Sequence, residues 1–366
     1  GRSGNETDPV RGVIDPDFWR GRRVLLTGHT GFKGAWLALW LKRMGAEAHG
    51  FALAPDCSPA LFETARVGDD IVSTIGDLRD ANAVTAATRA ARPQIVMHLA
   101  ARALVRAAIA DPVDALGSNV MGTAHLLEAL RGERGLSTIV VVTSDKVYAN
   151  DESGRAFDEA TPLGGKDPYS ASKAATEMVV RAWRETYFRK HGIRLATARG
   201  GNVIGGGDCS ADRIVPDIVR AIAKGEKVVL RMPDATRPWQ HALDCLAGYL
   251  LFAQALERGE TLSDAMNFGP EPGQPISVGE LTDMMLDSLG APAGYVHQPV
   301  AGSVEMKSLS VDAGLARAEL GWGDALPGRE AIAWTAEWHK RTREGESPRA
   351  VTLAQIDRYM ETAIKR

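Results

Sequence analysis

The sequence predicts an α/β fold, a Rossmann-type doubly wound parallel sheet with a smaller mixed α/β substrate domain toward the C-terminus. Three observations predict it. Short apolar runs alternate with helical patterns up to Ala198, the rhythm of a parallel sheet covered on both faces. Glycines at 28, 31 and 34 lie between the first run and the first helix. After Gly201 glycine and proline become frequent, strands shorten and the rhythm is lost.

Arg23–Thr27 is a buried strand ending at the glycine cluster. Ala35–Met44 carries Trp36, Leu37, Trp40, Leu41 and Met44 at helical spacing, and Gly45 stops it. Glu47–Leu53 and Ile71–Ile75 read as the second and third strands. Asn82–Ala91 is a helix, Gln94–Leu99 a strand, Val113–Leu130 a longer helix and Thr138–Thr143 a strand. Ser170–His191 is another helix and Arg194–Ala198 the next strand. The expected division is a dinucleotide-binding domain over 17–200 with a return segment at about 236–268, and a substrate-binding domain over 201–235 and 269–345. Residues 1–16 and 346–366 are expected as peripheral arms. Gly1–Pro9, polar and without an initiator Met, read as an expression remnant plus a polar arm, and no signal peptide is visible.

At 366 residues the chain exceeds what one core usually holds. A net charge of −3 gives no support for nucleic-acid or anionic-membrane binding. The longest apolar runs, such as Cys245–Leu256, are too short to span a bilayer. Three widely spaced cysteines, Cys57, Cys209 and Cys245, fit a reducing, cytoplasmic setting and argue against a disulfide framework or a zinc site.

The glycine loop Gly28-His-Thr-Gly31-Phe-Lys-Gly34 is placed to bind a dinucleotide, since its backbone can approach a pyrophosphate at a helix N-terminus. Thr30, Phe32 and Lys33 belong to this loop; a solvated lysine is the competing reading for Lys33. No Arg or Lys ends the second strand to grip a 2′-phosphate, which favours NAD, with Asp56 the nearest acid for the ribose. Asp77 and Leu78 border the adenine or form a plain turn. Tyr169 and Lys173, four apart, share one helix face, where an ammonium stabilises a phenolate and makes the tyrosine a usable general base or acid. Arg237 is the best candidate to grip a diphosphate with two parallel bonds, with Arg199, Asn202 and Arg213 adding to it. Trp239 and His241 are read as nucleotide walls or core, and His98 as structural or cofactor-adjacent.

In order, His98-Leu-Ala-Ala101, Asn119-Val-Met-Gly-Thr123, Thr143-Ser-Asp-Lys-Val-Tyr148, Asp167-Pro-Tyr-Ser170, Arg199-Gly-Gly-Asn-Val-Ile204 and Asn267-Phe-Gly-Pro270 resemble the extended short-chain dehydrogenase/reductase family. The glycine loop, Ser144-Asp-Lys146, Asn202-Val-Ile-Gly-Gly-Gly-Asp208 and Arg237-Pro-Trp-Gln-His241 resemble the CDP-glucose 4,6-dehydratases within it. The resemblance implies a redox-neutral elimination on a nucleotide sugar: oxidation at carbon 4 with NAD, loss of water across carbons 5 and 6, and return of hydride to carbon 6. It implies that Tyr169 takes the 4-hydroxyl proton beside Lys173, that Ser144 bonds the 4-oxygen, that Asp145 protonates the departing hydroxyl and that Lys146 assists at carbon 5. It places Leu99, Ala100, Ala101, Asn119 and Thr143 at the cofactor, and Arg102, Ser144, Asn202, Arg213, Arg237 and His241 at the substrate. It also implies a homodimer through the helix of Tyr169 and the helix after Val113. Departures from the family are Arg102 for a glutamine and Ala108-Ile109 for a Ser-Tyr pair. Two other readings stand beside the dehydratase. A nucleotide-sugar 4-epimerase or reductase needs Tyr169 and Lys173 but not Asp145 and Lys146. A non-catalytic dinucleotide-binding protein needs neither pair.

Overall fold

A computed structural model describes residues 12–260, 262–271, 276–299 and 309–364. Gly1–Pro9 and the outer ends of the expected arms lie outside the described residues. Strands β1 (Arg23–Thr27), β2 (Glu47–Ala52), β3 (Val72–Ile75), β4 (Ile95–His98), β5 (Thr138–Val142), β6 (Arg194–Gly200) and β11 (Ala265–Phe268) form one parallel sheet in the order β11-β6-β5-β4-β1-β2-β3. The chain runs from β1 out to β3, then returns to β4 on the other side of β1. The crevice beyond the carboxyl ends of β1 and β4 is therefore the topological switch point, where open α/β sheets bind ligands. The remaining strands pair two by two: β7 (Val203–Ile204) with β10 (Gln240–His241), β8 (Val228–Leu230) with β13 (Tyr295–His297), and β9 (Thr236–Arg237) with β12 (Ile276–Ser277).

One face of the main sheet packs on helices Phe32–Arg43 and Ala242–Glu257, where Trp36, Trp40, Leu246 and Phe252 are fully buried. The other packs on Ala81–Ala91, Gly122–Leu130 and Pro168–Trp183 through Val84, Leu127 and Val180. Burial on both faces explains why the inner strands read as unbroken apolar runs. A separate apolar cluster, including Ile218, Leu281, Met285 and Ile332, serves the small strands.

Three expectations are corrected. The single helix over Val113–Leu130 is broken into Pro112–Leu116, a π-helical turn Gly117–Met121 and Gly122–Leu130. The turn brings in Asn119, whose amide donates to Ser172 Oγ at 2.8 Å and whose carbonyl oxygen accepts from the Arg102 N–H at 2.7 Å. The region expected as a C-terminal arm instead forms the helix Pro348–Ile364, and Val351, Ile356 and Tyr359 are buried in the main core. Cys57 and Cys209, separated by 152 residues, form a disulfide with Cα atoms 5.8 Å apart. Counting and spacing missed it because the fold brings the loop after β2 against the loop after β7, where a Cβ on Gly207 would sit 2.8 Å from Leu61 Cδ1.

Candidate active site

The glycine loop is closed to larger side chains. A Cβ on Gly34 would lie 2.0 Å from Gly28 O, and one on Gly28, at φ +80°, would lie 2.7 Å from Ala100 N. Gly31 caps the helix Phe32–Arg43 with no side-chain hydrogen bond, so the first-turn amides are left for a ligand. These features fit the pyrophosphate of a dinucleotide. Thr30 Oγ1 donates to Leu53 O at 2.8 Å and fixes the loop to the end of β2, while Phe32 packs on Gly205. Asp77 is gripped by Arg79 and its carboxyl is held below the usual range chiefly by that hydrogen bond. Leu78 is buried and its carbonyl accepts from His125 Nδ1 at 2.9 Å.

A cavity of about 860 Å³ opens beside the switch point. Leu99, Ala101, Thr143, Ser144, Asp145, Lys146, Tyr169 and Lys173 line it. Tyr169 and Lys173 arrive on Pro168–Trp183, which Asp167 caps by accepting from Ser170 N, with Pro168 in the first turn. Burial pushes the Tyr169 phenol up to about 12, with the Ser144 hydrogen bond pulling the other way. Burial, then the charge of Lys33, lowers Lys173 to about 7, while Glu177 opposes them. Lys173 Nζ donates to Val142 O at 3.2 Å.

Ser144, Asp145 and Lys146 turn out of β5. Ser144 Oγ donates to Asp145 Oδ1 at 3.0 Å, and Lys146 Nζ lies 3.8 Å from the same oxygen. Asp145 is 2% exposed, and its Oδ2 has no hydrogen-bond partner. A buried acceptor without a partner in a cavity wall marks a place for a ligand's donor. Asn202 Nδ2 is a second such atom. Lys33 Nζ reaches Tyr249 Oη at 3.4 Å and also lines the cavity, so it is not a solvated loop lysine.

Behind this wall, Glu177 accepts from Thr143 Oγ1 at 2.6 Å, from Thr197 Oγ1 at 2.8 Å and from Arg199 through both Nε and Nη2. Arg199 also donates to Tyr148 Oη, which donates to Asn267 Oδ1 at 2.6 Å. Arg199 is thus bound within the protein and does not extend the diphosphate grip expected of it. Sequence reasoning passed over Glu177, although it lies one helical turn past Lys173 on the same face.

Arg213 and Arg237 line the cavity, Arg213 paired with Asp208 at 3.2 Å and Arg237 Nη1 donating to Thr236 O at 2.9 Å. Arg102 does not join them. Its guanidinium pairs with Asp114, which also holds Arg79, so opposite charge draws it toward the Asp77 side. His241 is fully buried between Trp36 and Trp334, accepts from Leu243 N at 3.2 Å and is lowered to about 3 by burial. It caps the helix Ala242–Glu257 and does not line the cavity. Asn119 does not line the cavity; its side-chain amide bonds Arg102 N and Ser172 Oγ. His98 is likewise structural, sharing hydrogen bonds with Thr27 at 2.6 Å and Thr123 at 3.0 Å. Trp239 does both jobs, lining the cavity while its Nε1 donates to Ile276 O at 3.0 Å.

A switch-point glycine loop, a Tyr-Lys pair on one helix face and an acid-base pair at the end of β5 define a dinucleotide-dependent enzyme of the short-chain type. The chain belongs to the NAD dependent epimerase/dehydratase family, whose model matches residues 24–269. Its cofactor is NAD. It is 39% identical over 359 residues to the CDP-glucose 4,6-dehydratase of Salmonella typhimurium, covering 96% of this chain and 100% of that one. A double mutant of the dTDP-glucose 4,6-dehydratase DesIV of Streptomyces venezuelae, solved with NAD bound, has a TM-score of 0.74 at 27% identity, covering 89% of this chain and 99% of that one. The UDP-glucose 4-epimerase of Thermus thermophilus, also solved with NAD, has a TM-score of 0.73 at 26% identity, covering 87% and 99%.

Proposed function

We propose that the chain is a hydro-lyase that converts CDP-glucose to the 4-keto-6-deoxy sugar. The observation that carries this reading is the Asp145–Lys146 pair at the cavity wall, where the buried carboxylate of Asp145 keeps one oxygen unpartnered. An epimerase has no use for an acid and a base there. When bound, NAD supplies a two-electron acceptor that returns its electrons in the same cycle. The residues of this chain do the rest. The loop 28–34 and the open amides of Phe32–Arg43 hold the pyrophosphate. Tyr169 Oη takes the 4-hydroxyl proton, with Ser144 Oγ holding that oxygen and the Lys173 ammonium favouring the phenolate. The 4-ketone acidifies the carbon-5 proton, which Lys146 Nζ accepts while Asp145 gives a proton to the departing 6-hydroxyl. The proton on Lys146 then returns to carbon 5, and the site is reset as Tyr169 gives up the proton it took from the 4-hydroxyl and Asp145 regains one, so that water is the only species released.

We infer two lobes, with β11 and the helix Ala242–Glu257 returning to the dinucleotide-binding one. Val113, Leu116, Met121 and Met178 expose apolar surface on the two neighbouring helical segments, and we infer a homodimer across them. Among the described residues no helix is long and apolar enough to cross a membrane. A cytoplasmic site of action rests on the substrate class alone, because the cysteine argument for it is gone.

The test is incubation with CDP-glucose, UDP-glucose and dTDP-glucose plus NAD+, read by mass. Loss of one water from CDP-glucose is the expected result, and an unchanged mass there overturns the reading.

A further inference from the structure

We propose that Asp212, held by Arg106 and Arg231, selects the nucleotide base by accepting a hydrogen bond from an exocyclic amino group. The proposal rests on the CDP-glucose reading. Asp212 Oδ1 accepts from Arg106 Nη1 at 3.0 Å and from Arg231 Nη1 at 3.3 Å, and all three residues line the cavity. Arg106 rides on the short helix Val105–Ala110, whose Val105 packs against the cluster of Ala108, Ala115 and Tyr169. Asp212 and Arg231 lie on segments outside the seven-stranded sheet. A sugar seated at Tyr169 therefore extends its nucleotide toward this trio.

A carboxylate between two guanidiniums is an odd device for gripping a diphosphate, because its charge repels the ligand. It suits a group that presents donors and acceptors side by side. Cytosine offers an amino donor at N4 next to acceptors at N3 and O2. Asp212 supplies an acceptor and the flanking guanidinium supplies donors, in matching order. Uracil and thymine carry an acceptor at position 4 and a donor at N3, so they would set a carbonyl against the carboxylate and an N–H against a guanidinium. A site built for one pattern rejects the other because its polar groups are left unpaired.

The backbone provides a clean variant. Asp212 sits at φ +58°, a left-handed conformation that Asn accepts as readily as Asp. Asp212→Asn therefore keeps the loop and changes only charge and hydrogen-bonding sense, since an amide can turn its NH2 toward a carbonyl oxygen.

The experiment measures binding of CDP and UDP to the NAD-loaded full chain by calorimetry, for wild type and Asp212→Asn, with turnover of CDP-glucose recorded in parallel. The expected result is a wild-type preference for CDP that falls by roughly 5- to 150-fold in the variant, the range one good base contact commands. CDP weakens and UDP gains. Equal tightening of both nucleotides in Asp212→Asn overturns the proposal, since the carboxylate then acts only as an anion near the phosphates. An unchanged CDP/UDP ratio, or a wild type that does not distinguish the two, overturns it as well. Circular dichroism and retained NAD report that the variant is folded, and Arg231→Met, which removes the donors instead, is expected to relax the same ratio. Turnover of CDP-glucose with an unchanged ratio rejects the base contact alone, whereas absent turnover by wild type rejects the underlying reading.

Discussion

Glu177→Gln tests how the wall behind the site is held. Glu177 and Arg199 side chains are each 5% exposed and joined by two hydrogen bonds, at 3.0 and 2.9 Å. The substitution leaves a buried guanidinium without its counter-charge, and breaking such a pair from one side costs ~3–5 kcal/mol. For a chain of 366 residues the unfolding entropy is ~0.8 kcal/mol per kelvin, so the midpoint falls by ~4–7 °C. A second effect goes with it. Glu177 favours the charged form of Lys173, which sits at about 7. Removing that support lowers the Lys173 pKa further, so the ammonium is lost at lower pH and the alkaline limb of activity moves toward acid. Thermal unfolding followed by circular dichroism and a pH–rate profile of CDP-glucose dehydration check the two effects. A midpoint within one or two degrees of wild type refutes the cost assigned to the Glu177–Arg199 pair, and an unmoved alkaline limb refutes the coupling between Glu177 and Lys173. The pair Glu177→Met with Arg199→Met is expected to recover much of the stability without restoring the profile.

Further expectations follow from the same contacts. Gly34→Ala places a methyl 2.0 Å from Gly28 O, so the purified variant is expected to lose bound NAD, read from the absorbance ratio, and an NAD content equal to wild type would count against the loop. His29, His98, His241 and His339 are held at about 4, 3, 3 and 4, chiefly by burial. The unfolded chain takes up these protons near pH 6.5 and the native one does not, so stability falls as pH drops from 6.5 toward 4, by at most about 5.5 kcal/mol per pH unit. A flat melting temperature between pH 7 and pH 5 would contradict this. Thiol titration of the denatured chain is expected to find Cys245 alone until a reductant releases Cys57 and Cys209. Cys57→Ser loses up to ~5 kcal/mol in the chain-entropy account of a loop of 152 residues. Three thiols without reductant would refute the bridge.

The doubly wound sheet was legible because its signals are local. Val24–Leu26, Val96–Met97 and Ile139–Val142 are unbroken apolar runs whose both faces are covered, and Tyr169 and Lys173 need only a helix to share a face. What escaped depends on partners distant in sequence. Arg102 is turned by Asp114, and His241 is enclosed by Trp36 and Trp334, so neither direction is written in its neighbours. Arg106, Asp212 and Arg231 meet across more than a hundred residues with no shared motif. The break at Gly117–Met121 escaped for a related reason: the apolar spacing runs through it unbroken, and only the side-chain bonds of Asn119 show what the turn is for. Glu177 is the exception, a residue the helical spacing could have offered.

The sheet's outermost strand has a consequence for how the protein is made. β11 pairs with β6 along Thr197–Gly200, yet it follows the end of β6 by roughly 70 residues. At about 5–20 residues per second, a growing chain spends on the order of 4 to 14 seconds between emitting the two. Through that interval β6 offers an open hydrogen-bonding edge to whatever strand is nearest. The ribosome-bound intermediate is the form most exposed to misassociation, and a chain stopped at Gly200 would keep that edge permanently.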